Sequence, residues 1–467
     1  MPNFVRSSKF RHVFGTGSKR EHCYDGMKVS KNSWEAPYCA VNPKFVAIVL
    51  DSAGGGSFLV LPLEKVGRVD LNAPKVAGHK QEVLDIAWCP FNDNLIASSS
   101  EDATVKIWQI PDGGLVENLT HPLLTLEGVH QRRIGHVVWN PVAENILLSA
   151  SHDNVVAIWN LESGQAIRVI ECHQDLIYSI SWNHNGSKIA TTCKDKKLRI
   201  IDAHSGEVLQ EGKCHEGAKP QRVVFCSNMG FLFTTGFTRM SKRVWAIWDE
   251  KNLEKPLHQD ELDSSNGVNF PYYDPDTKMV YLVGKGDSVI RYYELVSEAP
   301  YCHYLSTYQS SDPQKGCGFM PKRGCNVNQN EVTRFFKIHS TKPLCEPISF
   351  TVPRKSELFQ KDIFPETASD EPALTAEEWE AGKNAEPKTI SLEAGFKPRE
   401  KGGTSIGTKN VMAGVSSRKL DKSDSSASQN ADVQSLINDV KALKEKVEQN
   451  EKKIAQLEEE VKELKEK

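Results

Sequence analysis

A histidine, a hydroxyl residue, an aspartate and an indole recur at nearly fixed intervals in the first half of this 467-residue chain. The first set is His79, Ser98, Asp102 and Trp108, and the second is His130, Ser149, Asp153 and Trp159. The third keeps His173, Thr191 and Asp195 but carries Ile201 where the others have Trp. A base, a hydroxyl and a carboxylate are the ingredients of nucleophilic catalysis, in which the carboxylate orients the base that takes the hydroxyl proton. A nucleophile site is single, however, and these sets repeat. The repetition is explained if the groups are structural. The Asp then turns the chain by accepting local backbone N–H groups, the His bonds its carboxylate, and the hydroxyl links His to the indole N–H in a buried polar chain. No G-x-S-x-G, P-loop or H-E-x-x-H motif accompanies the sets, and residues 54–56 (GGG) read as the turn before a strand at 57–61. Cys172-His173 and Cys214-His215 fall at the starts of repeat units, so they are not read as metal ligands. The expectation is a non-enzyme with no cofactor and no metal.

The elements that must position these groups follow from a longer ladder. Trp108, Trp159, Ile201, Trp248, Tyr293 and Phe336 are separated by 51, 42, 47, 45 and 43 residues, and Leu61 lies 47 upstream. Counting back six from Tyr293 gives Asp287, as it gives Asp102, Asp153 and Asp195 in the earlier units. Each unit has short apolar runs of period two separated by turn residues, as in residues 104–108 (TVKIW). Seven such units predict an all-β fold, a seven-bladed WD-repeat β-propeller over residues 1–340. A ring must not leave open edges, so the strand-like stretch from Lys9 to Phe14 is expected to close it against the last blade.

Composition agrees with a protein-binding domain in a reducing compartment. A net charge of −3 gives no reason to expect nucleic acid or an anionic membrane as the main partner. Isolated basic runs (Lys322-Arg323, Arg418-Lys419) are ordinary surface. Eleven scattered cysteines without a C-x-x-C pair read as free thiols. No apolar signal core or stretch of 18 apolar residues occurs, so no integral membrane contact is expected and the cytoplasm is the default location.

Beyond the propeller, the proline-rich residues 341–398 suit an extension packed on the ring. It contains a capping box over residues 375–378 (TAEE), with Trp379 placed to dock. Residues 399–432 have the composition of a disordered linker. Residues 433–467 carry an unbroken heptad seam, with Val433, Val440, Val447, Ile454 and Val461 at a and Leu436, Leu443, Asn450, Leu457 and Leu464 at d. The flanking pairs Asp439/Lys444, Lys446/Glu451, Lys453/Glu458 and Glu460/Lys465 are all attractive in a parallel, in-register α-helical coiled coil. β-branched a residues favour a homodimer, whereas residues 453–458 (KIAQLE) resemble a trimerising pattern with Lys in place of Arg. A parallel homotrimer and a homodimer both remain open.

Motifs across the chain resemble the coronins of the short, single-propeller type: residues 8–15 (SKFRHVFG), 39–45 (CAVNPKF), 261–267 (ELDSSNG), 273–277 (YDPDT), 284–287 (GKGD), 320–324 (MPKRG) and 352–356 (VPRKS), together with the closing coil. The resemblance implies an actin-filament-binding cytoskeletal regulator. Its implied partners are F-actin, the branching complex of actin-related proteins and cofilin, and its implied location is the actin cytoskeleton and cell cortex. The processes it implies are cell migration, phagocytosis and cortical actin organisation. It also implies a basic actin-binding position in the first blade, which is Lys28 here, where the family more often has Arg. The competing class is a WD-repeat scaffold or substrate adaptor not directed at actin.

Overall fold

The computed structural model describes residues 7–52 and 54–397. Seven antiparallel sheets follow one another around an axis. Strands Cys39–Val41, Phe45–Val49, Gly56–Pro62 and Lys75–His79 make blade 1. Blades 2 to 6 begin with Val83–Trp88, Ile134–Trp139, Ile177–Trp182, Arg222–Cys226 and Asn269–Asp274, and blade 7 with Gln314–Phe319. These first strands touch those of neighbouring blades and so line the axis. The second strands, such as Leu95–Ser100 and Ile146–Ser151, are buried at every position, because both faces of a blade are covered by its neighbours. The upper rim is defined here by the turns that carry Asp102 and Asp153, and the lower rim by the turns between first and second strands.

The ring is closed by the N-terminus, one step later in the chain than the sequence suggested. Phe14–Gly17 is the fourth strand of blade 7 and pairs antiparallel with Leu344–Thr351, Phe14 opposite Thr351 and Gly17 opposite Ile348. Residues 9–12 form a turn instead of a strand. Phe10 and Val13 are both buried, in one cluster with Tyr281, Phe335 and Phe350. A three-residue spacing reaches one core from a turn, whereas strand alternation would send one of the two outward. Two glycines place the strand: a Cβ on Gly15 would lie 2.8 Å from the Tyr308 ring, and one on Gly17 would lie 2.3 Å from the Glu346 carboxylate.

The propeller also runs past the expected boundary at 340, since Leu344–Thr351 is the third strand of blade 7. Pro343 and Pro347 hid it. Pro347 lacks a donor, yet its carbonyl still accepts the Ser18 N–H at 2.9 Å, so the ladder loses a single bond.

The chain then crosses the lower rim. Ile363 and Phe364 join the blade 6–7 core, and Thr367–Ala368 pairs with Thr389–Ile390. Ala373 and Leu374 donate to the Val142 carbonyl at 2.8 and 3.1 Å. The helix Ala376–Glu380 has the capping box read from the sequence, with Thr375 and Glu378 each bonding the other's backbone N–H. Trp379 is 2% exposed, donates its indole N–H to Gly186 O at 3.0 Å, and meets Trp182 edge-on at 6.1 Å. The linker at 399–432 and the coiled-coil seam from Val433 to Leu464 lie outside the described residues. Trp379→Ala should lower unfolding free energy by about 3–5 kcal/mol, from lost burial and the cavity left behind. Urea unfolding measures this, and a loss below about 1 kcal/mol would mean that the extension rests on the ring without stabilising it.

Candidate functional site

The repeated polar sets come together as expected in two blades. In blade 2, His79 Nδ1 lies 2.9 Å from Asp102 Oδ2, His79 Nε2 lies 2.8 Å from Ser98 Oγ, and the Trp108 indole N–H donates to Ser98 Oγ at 2.8 Å. In blade 3, His130 Nε2 lies 2.7 Å from Ser149 Oγ and Trp159 donates to the same oxygen at 2.8 Å, while His130 Nδ1 stands 3.4 Å from Asp153 Oδ2. Ser98 and Ser149 are fully buried and their oxygens are committed, so no substrate carbonyl can reach them. Burial alone would raise the Asp153 carboxyl, but the adjacent His130 imidazole and the bond from the Gln131 N–H hold it down to about 2. The same balance, with His79 as the main partner, holds Asp102 well below the carboxylate range.

Blade 4 departs from the expectation. His173 Nε2 does bond Thr191 Oγ1 at 2.9 Å, but Asp195 pairs with Arg199 at 2.5 Å instead of with His173. Arg199 stands four residues after the Asp, where blade 2 has Lys106 and blade 3 has Ala157. A buried guanidinium is the stronger carboxylate partner, because burial keeps His173 neutral by pushing it down to about 4. A fourth set escaped the sequence reading. His215 Nε2 bonds Thr234 Oγ1 at 2.9 Å, and Trp248 donates to that oxygen at 2.8 Å. Its Asp position is Thr238, so only the His-to-hydroxyl interval of 19 residues marked it. Asp287 pairs with Arg243 of the preceding blade at 2.7 Å, and Arg243 also grips Asp263 through two bonds of 2.6 Å.

Lys28 lies on the upper rim, on the segment that leads from the closing strand to the first strand of blade 1. Tyr24–Asp25 is paired to Cys345 and Leu344. Lys28 O then accepts the Asp51 N–H at 2.9 Å, and the Ser30 N–H donates to Val49 O at 3.0 Å. The Lys28 side chain is exposed and forms no hydrogen bond or ion pair among the described residues.

Past Lys28 the chain dips into the channel mouth, which the sequence had not signalled. Trp34 donates its indole N–H to Gly135 O at 3.0 Å and packs on His136 and His152 at ring distances of 5.4 and 4.7 Å. A Cβ on Gly135 would stand 2.6 Å from the indole, so the seat requires glycine. Asn32 Nδ2 bonds Glu82 and Glu101, the Tyr38 hydroxyl bonds Asn32 O, and Lys285 pairs with Glu35 at 2.9 Å. Arg222, buried in the channel, donates to Tyr178 O at 2.6 Å and to Glu35 O. These bonds tie blades 2, 3, 5 and 6 to one segment at the axis.

The lower mouth opens into a mostly apolar recess of about 610 Å³ lined by Trp88, Val138, Tyr272, Phe319 and Met320 and bounded by Thr367, which the sequence also had not signalled. Among the described residues, no group of three or more His, Cys, Asp or Glu side chains could hold a metal ion, and no helix is long and apolar enough to cross a membrane.

Two outcomes follow from the buried polar groups. Asp102→Ala leaves His79 Nδ1, the Lys80 N–H and the Thr104 N–H without their acceptor. The variant should lose about 1–3 kcal/mol in denaturant unfolding, and an unchanged midpoint would contradict the structural role. Acid should also weaken the fold. Burial pushes His136 down to about 3 and His152, His173 and His215 to about 4, while it pushes Asp85 up to about 7 and also raises Asp276. Below about pH 6 the unfolded chain charges the four imidazoles that the folded chain keeps neutral, whereas the folded chain alone protonates the two carboxyls. Unfolding therefore takes up about two protons, and stability falls on the order of 2–3 kcal/mol per pH unit between about pH 6 and 4.5. Denaturant midpoints at pH 7 and pH 5 check the sign, and equal midpoints would contradict it.

Comparison with known proteins agrees with this architecture. Residues 73–109 and 164–202 match the WD domain, G-beta repeat, and residues 3–68 match a domain of unknown function, DUF1899. Residues 345–387 match a type of WD40 repeat, although they fold as the third strand of blade 7 and the extension. A chain of the Mitotic Checkpoint Complex, 15% identical with a TM-score of 0.51 over 76% of this chain and 98% of that one, shares the fold alone. The WD40 domain of Toxoplasma gondii coronin superposes with a TM-score of 0.77 at 32% identity, covering 83% of this chain and 98% of that one. Human Coronin-2A is 50% identical over 395 residues, 84% of this chain and 75% of that protein. Identity at that level along most of such a relative, with the propeller fold shared by a second coronin, means that the chain belongs to the coronin family.

Proposed function

We propose that this chain is a non-catalytic, actin-filament-binding regulator of the cytoplasmic cytoskeleton that uses Lys28 on the upper rim as a filament contact. The observation that carries the reading is an exposed ammonium without a side-chain bond among the described residues, on a backbone fixed by Asp51 and Val49, in a protein of the coronin family. A cation held in this way meets an acidic filament surface without first breaking an internal pair. The family resemblance extends the reading to the branching complex of actin-related proteins, to cofilin-dependent filament turnover and to work at the cell cortex. The heptad seam over 433–467 adds self-association as a parallel homotrimer or homodimer. That places a second propeller within reach of the same filament and raises apparent affinity without any new contact.

The apolar recess at the lower mouth supports a second reading, a scaffold that takes an apolar side chain of a protein partner there. Filament co-sedimentation separates the two. The full chain should pellet with filaments, and truncation after residue 432 should lower apparent affinity while keeping some binding. Lys28→Glu should weaken binding strongly at low salt and less as salt rises, with the thermal midpoint unchanged. A full-length chain that stays in the supernatant at every salt concentration would remove the actin reading and leave the scaffold.

A further inference from the structure

Beside Lys28 the upper rim gathers lysines around one carboxylate. Lys31 Nζ lies 2.8 Å from Asp51 Oδ2, with the Lys31 side chain 84% exposed and that of Asp51 29%. The bond from Lys31 is the largest influence holding the Asp51 carboxyl below its usual range, and the charges of Lys315 and Lys28 act in the same direction. Asp51 thus pairs with Lys31 alone, while the charges of Lys28 on the same segment and Lys315 on blade 7 act on it without contact. Lys315 is fixed, because its ammonium donates to Ser30 O and sits 5.1 Å over the Tyr38 ring. The next cation, Lys285, is already matched by Glu35 at 2.9 Å. Lys28, Lys31 and Lys315 outnumber Asp51 by two positive charges, while the neighbouring Glu82 and Glu101 are engaged by Asn32. Asp51 is held in place by its own N–H on Lys28 O at 2.9 Å, and its carboxylate makes no backbone hydrogen bond among the described residues. Lys31, by contrast, hangs on a long exposed stem. An exposed pair of this kind is weak enough to be exchanged for another carboxylate at little cost.

We propose that Asp51 is an internal stand-in for a carboxylate of an acidic protein segment, and that docking of such a segment transfers Lys31 from Asp51 to the partner. Lys31 then joins Lys28 as a second anchor, and Asp51 holds the affinity of the patch down. The partner chemistry is a surface segment with at least two clustered carboxylates. Identifying that segment with the actin filament rests on the function proposed above.

The test uses the full chain with Asp51→Asn and Lys31→Glu and two probes, filaments in co-sedimentation and a fluorescent polyglutamate peptide in anisotropy, each at low and high salt. Asp51→Asn should bind both probes about two- to fivefold more tightly at low salt, with the gain shrinking as salt rises, and Lys31→Glu should bind both more weakly by at least that factor. The Lys31 side chain is almost fully exposed, so its variant keeps the fold, and thermal melting verifies both. Asp51→Asn binding both probes no better than wild type, with Lys31→Glu unchanged, overturns the proposal. Filament binding that persists in that case leaves the proposed function standing. If the polyglutamate shifts appear but wild type does not pellet with filaments, the patch stands and actin is not its partner.

Discussion

The last sheet of the ring is completed by a strand from the beginning of the chain, Phe14–Gly17 on the outside of blade 7, which ties the two ends of the propeller together. The rest of the upper rim follows from that pairing. The closing strand is the outermost of its blade, whereas the next full sheet begins at Cys39, on the axis. Residues 18–38 must therefore travel inward from perimeter to channel. They do so over the upper rim, with Lys28 on the way and Trp34 at the end. The candidate contact surface is thus a by-product of closure. Any propeller whose first chain segment supplies the outermost strand of its last blade must cross a rim to start its first blade.

The polar sets within the blades answer a different constraint, the need to satisfy backbone donors at buried turns. Blades 2 to 4 share the Asp and the N–H two residues on: Asp102 accepts from Thr104 at 3.1 Å, Asp153 from Val155 at 3.1 Å and Asp195 from Lys197 at 2.9 Å. Asp263 accepts from Ser265 in the same manner at 3.0 Å. The second partner varies, being His in blades 2 and 3 and Arg in blade 4. Blade 5 omits the carboxylate from its set and keeps the His, hydroxyl and indole chain alone. The bond from His to the hydroxyl is thus common to all four sets, whereas the Asp turn bond belongs to three and its remaining oxygen faces His or Arg. A catalytic reading of the hydroxyls meets the same obstacle, since Ser98 and Ser149 are buried and each is already bonded to a His and a Trp.

What could be read from the sequence was what repeats or alternates. The seven-unit period, the His79 and His130 sets and the box of Thr375 and Glu378 depend on spacing along one chain segment. What could not be read depends on what sits across the fold from a residue. Arg199 is an ordinary strand residue until its distance to Asp195 is known. Trp34 belongs to no repeat, and its seat is a bare glycine, Gly135, whose need for smallness exists only because the indole presses on it. Pro343 and Pro347 argued against a strand that the ladder tolerates. Phe10 and Val13 suggested the closing strand a few residues early, because a buried turn and a buried strand draw on the same residue types. The heptad seam from Val433 to Leu464 is the second strong periodic signal in the chain and lies outside the described residues.

The two mouths of the channel differ in a way that bears on recognition. The lower one is apolar and bounded by the extension. The upper one is polar and filled from within by residues 30–38, whose neighbours include Gly316, where a Cβ would meet Pro37 O at 2.0 Å. A segment fixed at so many points loses little backbone entropy when a partner docks on it. The ordering cost at Lys28 and Lys31 then reduces to that of the lysine stems, on the order of 0.5–1.5 kcal/mol each. A flexible basic tail of the same charge would have to order its backbone as well, at about 1–2 kcal/mol per residue. For the proposed contact, pinning Trp34 in the channel therefore removes a cost of binding without adding a contact.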